Sequence, residues 1–123
     1  MALEVKKILI LGASPDPGKY SNIAARKLIR SGYEVVLLGI RHGEIEGQKI
    51  QTVMQGCEEV HTVALYLSRE KQDSYSEFIF SLKPQRIIFN PGTENPELME
   101  KARQKGIETV YDCLIEMIQQ KQF

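Results

Sequence analysis

The residues best placed to do chemistry lie in one loop. Gly12-Ala13-Ser14-Pro15-Asp16-Pro17-Gly18, followed by Lys19-Tyr20-Ser21, joins a short apolar run to a helical pattern. A strand, a glycine-containing loop and a helix together present free backbone N–H groups to a phosphate. In that reading the loop is an anion cradle, with the Ser14 hydroxyl and Lys19 assisting. The dinucleotide fingerprint G-x-G-x-x-G is not met, because Ser14 takes the second glycine position and the third glycine is displaced. A Walker A loop is not met either, because Gly18-Lys19 is followed by Tyr20 rather than Ser or Thr. The alternative is a plain βα turn that needs only Gly12 for tightness.

The next informative stretch is Gly39-Ile40-Arg41-His42, at the tip of the second apolar run. An NAD site places Asp or Glu there to bind the ribose 2′-hydroxyl. Here the charged side chain is Arg41, which suits a ribose carrying an additional phosphate, or is a solvated loop residue. His42 has no carboxylate near it in sequence to make it a base. His61 precedes a strand and falls at the opposite end. Cys113, at a helix start, is a reactive thiol or a small buried residue, and Asp112 reads first as a helix cap. Tyr66 ends the third run, where it could stack on a base or pack as a rim tyrosine. No catalytic residue is assigned. With two histidines, two cysteines and no C-x-x-C spacing, no metal site is expected.

These residues need a frame to bring them together, and the pattern supplies one. Ile8–Leu11, Glu34–Leu38, Thr62–Tyr66, Arg86–Asn90 and Ile107–Tyr111 are short, almost continuously apolar runs, as in strands buried on both faces. Helical patterns lie between most of them. One starts at Ser21 or Asn22 and ends at Gly32. Another is capped by Ser68, carries Tyr75, Phe78, Ile79 and Leu82, and stops at Pro84. A third has Asn95 as N-cap, Pro96 at its first position and Glu97 in its first turn, and ends at Gly106. The last is capped by Asp112 and runs into a polar tail, Gln119 to Gln122, expected to fray. Gly39 to Gly47 reads as a loop, and Ile50 to Gln55 as either a short helix or an irregular connector. The expected fold is α/β: a three-layer, Rossmann-like, doubly wound parallel sheet of about five strands, order 3-2-1-4-5, with helices on both faces. Ligands then bind beyond the carboxyl ends of the strands, where Gly12–Asn22, Gly39–Gly47, Tyr66–Ser68, Asn90–Asn95 and Tyr111–Cys113 converge.

The bulk properties agree. A chain of 123 residues is expected to make one domain, spanning 1–123. Lys plus Arg equals Asp plus Glu at 16 each, so no broad nucleic-acid or membrane surface is expected. No apolar run is long enough to span a membrane, and the N-terminus lacks the apolar core of a signal peptide. Two free thiols fit the cytoplasm. Exposed sheet edges leave a homodimer open.

The same residues carry a family resemblance. Gly12-Ala13-Ser14, Ser21 opening the helix, Gly32-Tyr33-Glu34-Val35, Glu44-Ile45-Glu46-Gly47, Pro91-Gly92-Thr93-Glu94-Asn95, Gly106-Ile107 and Asp112-Cys113 arrive in the order seen in the small stand-alone CoA-binding proteins. Their Rossmann-like domain is similar to the nucleotide-binding domain of the succinyl-CoA synthetase α subunit. The family's Val-Asn-Pro after strand 2 is here Leu38-Gly39-Ile40, its aromatic-Gln pair is Phe89-Asn90, and the arginine of its Asp-Arg-Cys is missing from Asp112-Cys113. The resemblance implies CoA as ligand. The adenine nucleotide would lie over Gly12, Ala13, Ser14, Gly18, Lys19, Ser21 and Arg41, and pantetheine would run past Pro91, Gly92 and Asn95. It also implies a binding module without catalysis of its own, since the synthetase's phosphorylated histidine lies outside this domain. The alternatives are an NAD(P)-dependent enzyme and a regulatory or interaction protein that keeps the fold without the ligand.

Overall fold

In the computed structural model, which describes residues 6–53 and 57–120, the five apolar runs form one parallel sheet. Its strands are β1 (Lys7–Leu11), β2 (Glu34–Leu38), β5 (Thr62–Leu65), β6 (Arg86–Phe89) and β7 (Glu108–Tyr111). Between β2 and β5 the chain inserts a small antiparallel hairpin of β3 (Gly43–Ile45) and β4 (Gln48–Ile50). The helices are α1 (Tyr20–Arg30), α2 (Arg69–Gln72), α3 (Ser76–Ser81), α4 (Pro96–Gln104) and α5 (Leu114–Gln119). Among the described residues, no helix is long and apolar enough to cross a membrane.

The continuous apolar runs follow from burial on both faces. Ile8, Ile10, Val35, Leu37, Ala64 and Ile88 face one core cluster, which contains Ala24, Ala25 and Leu28 of α1 and Leu114 and Met117 of α5. Leu9, Leu11, Val36, Leu38, Val63, Leu65, Ile87 and Phe89 face the other, with Ile79 of α3 and Leu98 and Ala102 of α4. Alternate residues of each strand therefore serve opposite cores, and helices cover both sides of the sheet.

The strand order differs from the expected one. The sheet runs β2-β1-β5-β6-β7, so the third apolar run pairs with the first and not with the second. The outer edge of β2 is already taken at its carboxyl end: Gln51 N–H donates to the Leu37 carbonyl at 2.8 Å, and Gly39 N–H to the Gln51 carbonyl at 2.9 Å. Among its described residues, the return to β5 carries no helix. Its residues Cys57 and Val60 join the core cluster of α3 and α4, and His61 N–H meets the Lys7 carbonyl at 2.9 Å. This is the other common doubly wound order, and it too has a switch point, here between β1 and β5.

Three local expectations are also corrected. The Gly39–Gly47 loop contains the hairpin; its turn, Glu46-Gly47, has positive φ at both residues (50° and 80°), the geometry of a tight two-residue connection. The helix after Ser68 is broken by a 3-10 turn at Asp73–Tyr75, where the Ser74 and Ser76 hydroxyls donate to the Lys71 and Asp73 carbonyls. The caps of α1 and α5 are Lys19 and Cys113, so Ser21 and Asn22 lie inside the first turn of α1, and Asp112 accepts the Cys113 N–H at 2.7 Å. Asn95 caps α4 as expected, its Oδ1 accepting from Leu98 N–H at 3.1 Å. Readings that touch residues 1–5, 54–55 and 121–122 lie outside the described residues.

Candidate functional site

The five loops meet at the carboxyl edge of the sheet, above the point where α1 and α2 leave adjacent strands for opposite faces. Gly12 makes the first turn. Its φ is +105°, and a Cβ there would stand 2.9 Å from the Tyr66 carbonyl carbon. A side chain would thus force β1 and β5 apart at their tips. The loop that follows is largely bonded to itself: Asp16 N–H donates to Ser14 Oγ at 3.1 Å, Gly18 N–H to Asp16 Oδ1 at 2.9 Å, and Lys19 N–H to the Asp16 carbonyl at 3.1 Å. Buried Asn22 pins it, donating to the Ser14 carbonyl at 2.9 Å and accepting from Arg26 Nε at 2.8 Å.

This arrangement changes the expected cradle. The Gly12 and Ala13 N–H groups both donate to the Leu38 carbonyl at 2.9 Å, so they fasten the loop to β2 and do not point at a ligand. The donors left for an anion include the first-turn amides of Tyr20 and Ser21, which have no intrahelical acceptor. No acidic residue stands in that first turn, so nothing on the helix neutralises its positive end.

A cleft of about 520 Å³ opens over this helix start. Gly12, Ala13, Ser14, Lys19, Ser21, Arg41, Pro91 and Gly92 all line it, although they come from three separate loops. Gly18 and Asn95 do not. Gly18 is exposed with its N–H bound to Asp16, and Asn95 is buried, with Nδ2 donating to Gln72 Oε1 at 3.0 Å besides its role as cap. Among the described residues, three cationic side chains, Lys19, Arg41 and Lys71, line the cleft, and no carboxylate does. The balanced overall charge concealed this local excess. Lys71 had no signal in the sequence, because its position depends on where α2 starts. Tyr20, 72% exposed, and Ile40, 72% exposed, also line the cleft and leave apolar surface at its mouth.

A second cleft, of about 470 Å³, adjoins the first and shares Tyr20, Tyr66 and Pro91 with it. Its character is different. Phe89 and Tyr111, packed edge to face at 5.2 Å, form part of its wall, and its charged lining groups are Glu94, Asp112 and Glu116. The half-buried thiol of Cys113 also lines it. The loops around it are held by buried amides. Asn90 Nδ2 donates to the Leu65 carbonyl at 3.0 Å while its Oδ1 accepts Leu114 N–H at 2.9 Å. Gln72 Nε2 donates to the Leu67 and Thr93 carbonyls. Neither histidine lines either cleft: His42 is exposed, and His61, at the amino end of β5, shares a 2.7 Å hydrogen bond with Thr62 Oγ1. Among the described residues no group of three or more His, Cys, Asp or Glu is placed to hold a metal.

Comparison with known proteins adds the following. The family model described as a CoA binding domain matches residues 6–119. A crystal structure of an uncharacterized protein superposes with a TM-score of 0.94 at 42% identity, covering 98% of this chain and 100% of its own. A hypothetical protein from Pyrococcus horikoshii OT3 superposes at 0.84 with 26% identity, over 94% of this chain and 83% of its own. The dinucleotide-forming acetyl-coenzyme A synthetase 1 of Ca. Korarchaeum cryptofilum, solved with phosphate and ADP, shares the fold at a TM-score of 0.69 and 19% identity. It matches 87% of this chain over 25% of that one. No curated protein matches the sequence.

Proposed function

Since the chain belongs to the CoA-binding domain family, we propose that it binds CoA or an acyl-CoA across the carboxyl edge of the sheet and performs no catalysis of its own. The observation that carries this reading is the division of the edge into two unlike halves. Lys19, Arg41, Lys71 and the start of α1 make one half a receptor for phosphates. The other half has aromatic walls and, among the described residues, no lining cation, which suits an uncharged arm. CoA is such a molecule, with its phosphates at one end and a neutral chain at the other. Arg41, on the β2 tip, would take the 3′-phosphate, and the lack of an acid at that tip weighs against NAD.

The test compares CoA with dephospho-CoA, by calorimetric titration of the wild type and of Arg41→Ala. Wild type should bind CoA roughly tenfold more tightly, the worth of a charge-assisted hydrogen bond. Arg41→Ala should bind the two alike. Binding of NAD in preference to CoA would overturn the reading.

A further inference from the structure

The two helix starts on this edge are built differently. At α1 the first-turn amides of Tyr20 and Ser21 have no intrahelical acceptor, and no acid stands in that turn. At α5 the chain's own acceptors occupy the amides that lead into the helix. Asp112 N–H donates to the Phe89 carbonyl at 3.3 Å, Cys113 N–H to Asp112 Oδ1 at 2.7 Å, and Leu114 N–H to Asn90 Oδ1 at 2.9 Å. Glu116 adds an acid to the first turn of α5, and Glu94 Oε1 accepts from Gly92 N–H at 2.9 Å. Among the described residues, Glu94, Asp112 and Glu116 are the charged groups that line the aromatic cleft. Its apolar wall is only partly covered: Tyr111, edge to face with Phe89, is 45% exposed.

From this we infer that the aromatic cleft receives the acyl group of an acyl-CoA and selects uncharged, apolar acyl groups over those that end in a carboxylate. The inference rests on the reading of this edge as a CoA site and names the thioesters that such a site takes. Three observations carry it. The cleft adjoins the cationic one and shares Tyr20, Tyr66 and Pro91 with it, so a ligand anchored by its phosphates has a continuous path into it. The exposed face of Tyr111 gives an acyl chain apolar surface to cover, and covering it is favourable in proportion to the area removed from water. A terminal carboxylate meets the opposite conditions. The three amides leading into α5, which could have held it, already have acceptors. Three lining carboxylates repel it without having to touch it, since repulsion between partly exposed charges reaches over about 8 Å at physiological salt.

Calorimetric titration with CoA, pentanoyl-CoA and succinyl-CoA tests it, the two acyl groups being of similar length. Wild type should bind pentanoyl-CoA roughly threefold or more tighter than CoA, the worth of about one buried methylene. It should bind succinyl-CoA roughly tenfold more weakly than pentanoyl-CoA at low salt, the sum of three weak repulsions. Two changes should narrow that second ratio by roughly half or more: raising the salt to about 0.5 M, and the double substitution Glu94→Gln with Glu116→Gln. The salt series needs no variant, so it decides even where the substitutions disturb the fold. Equal affinity for the two thioesters, or weaker binding of pentanoyl-CoA than of CoA, would overturn the inference and leave the CoA reading standing. A ratio that neither salt nor the double variant moves would overturn it as well, because shape alone would then account for the preference. Failure of the wild type to bind any of the three would overturn both readings.

Discussion

Gly39→Ala is expected to destabilise the protein by about 3 kcal/mol and to abolish ligand binding, an effect at the upper end of overpacking costs. A Cβ at this position would overlap the carbonyl oxygen of Ala13 and stand 3.1 Å from Ile50 Cγ2. The first of these is backbone, and it cannot rotate away. To make room, the glycine loop must lift from β2, and lifting it breaks the paired bonds from Gly12 and Ala13 N–H to the Leu38 carbonyl. Stability and site geometry therefore fail together. The control is Gly47→Ala, where φ is +80° but no atom lies within 4 Å, so only backbone strain of about 1 kcal/mol applies. Urea unfolding of the two variants measures the difference. Equal losses would mean that Gly39 is not holding the loop by close approach.

Asn90→Ala is expected to cost about 3 kcal/mol, more than most polar truncations. Asn90 is 2% exposed and serves three elements at once: it follows β6, donates to the Leu65 carbonyl at the end of β5, and accepts from the first amide of α5. Truncation leaves both groups buried without a partner. Asn95→Ala is the comparison: it removes the cap of α4 and the bond to Gln72, and a lost cap is worth about 1 kcal/mol. Chemical denaturation orders the two. A smaller loss in Asn90→Ala than in Asn95→Ala would show that the β5–β6–α5 junction is satisfied by other means.

Much of the fold was legible because burial on both faces leaves a plain mark. Ile8–Leu11 and Arg86–Phe89 could only be central strands once helices were seen to alternate with them. Strand order was not legible. Placing Thr62–Leu65 beside β2 or beside β1 buries the same side chains, and what decides is the backbone pairing of Gln51 with Leu38, made by residues of no distinctive type. The hairpin escaped notice because its strands are three residues each and one left-handed position of its turn is a glutamate.

The site shows the same division. Residues at strand tips could be named from their positions, which is why Ser14, Lys19, Arg41 and Pro91 fall in one cleft. The use of each donor could not be named. Whether the Gly12 N–H faces a ligand or the Leu38 carbonyl depends on how β2 sits against the loop, and that is a matter of tertiary packing. Lys71 became visible only when α2 and the cleft were placed.

The most direct measurement is a titration of CoA into isotope-labelled protein, followed by amide nitrogen–proton correlation spectra. The account predicts that the signals of Ser14, Tyr20, Ser21, Arg41, Tyr66 and Thr93 move to saturation together. Those of Lys83 and Lys105, at the amino end of the sheet, should stay in place. Signals that stay still at saturating CoA, or that move with NAD and not with CoA, would contradict it.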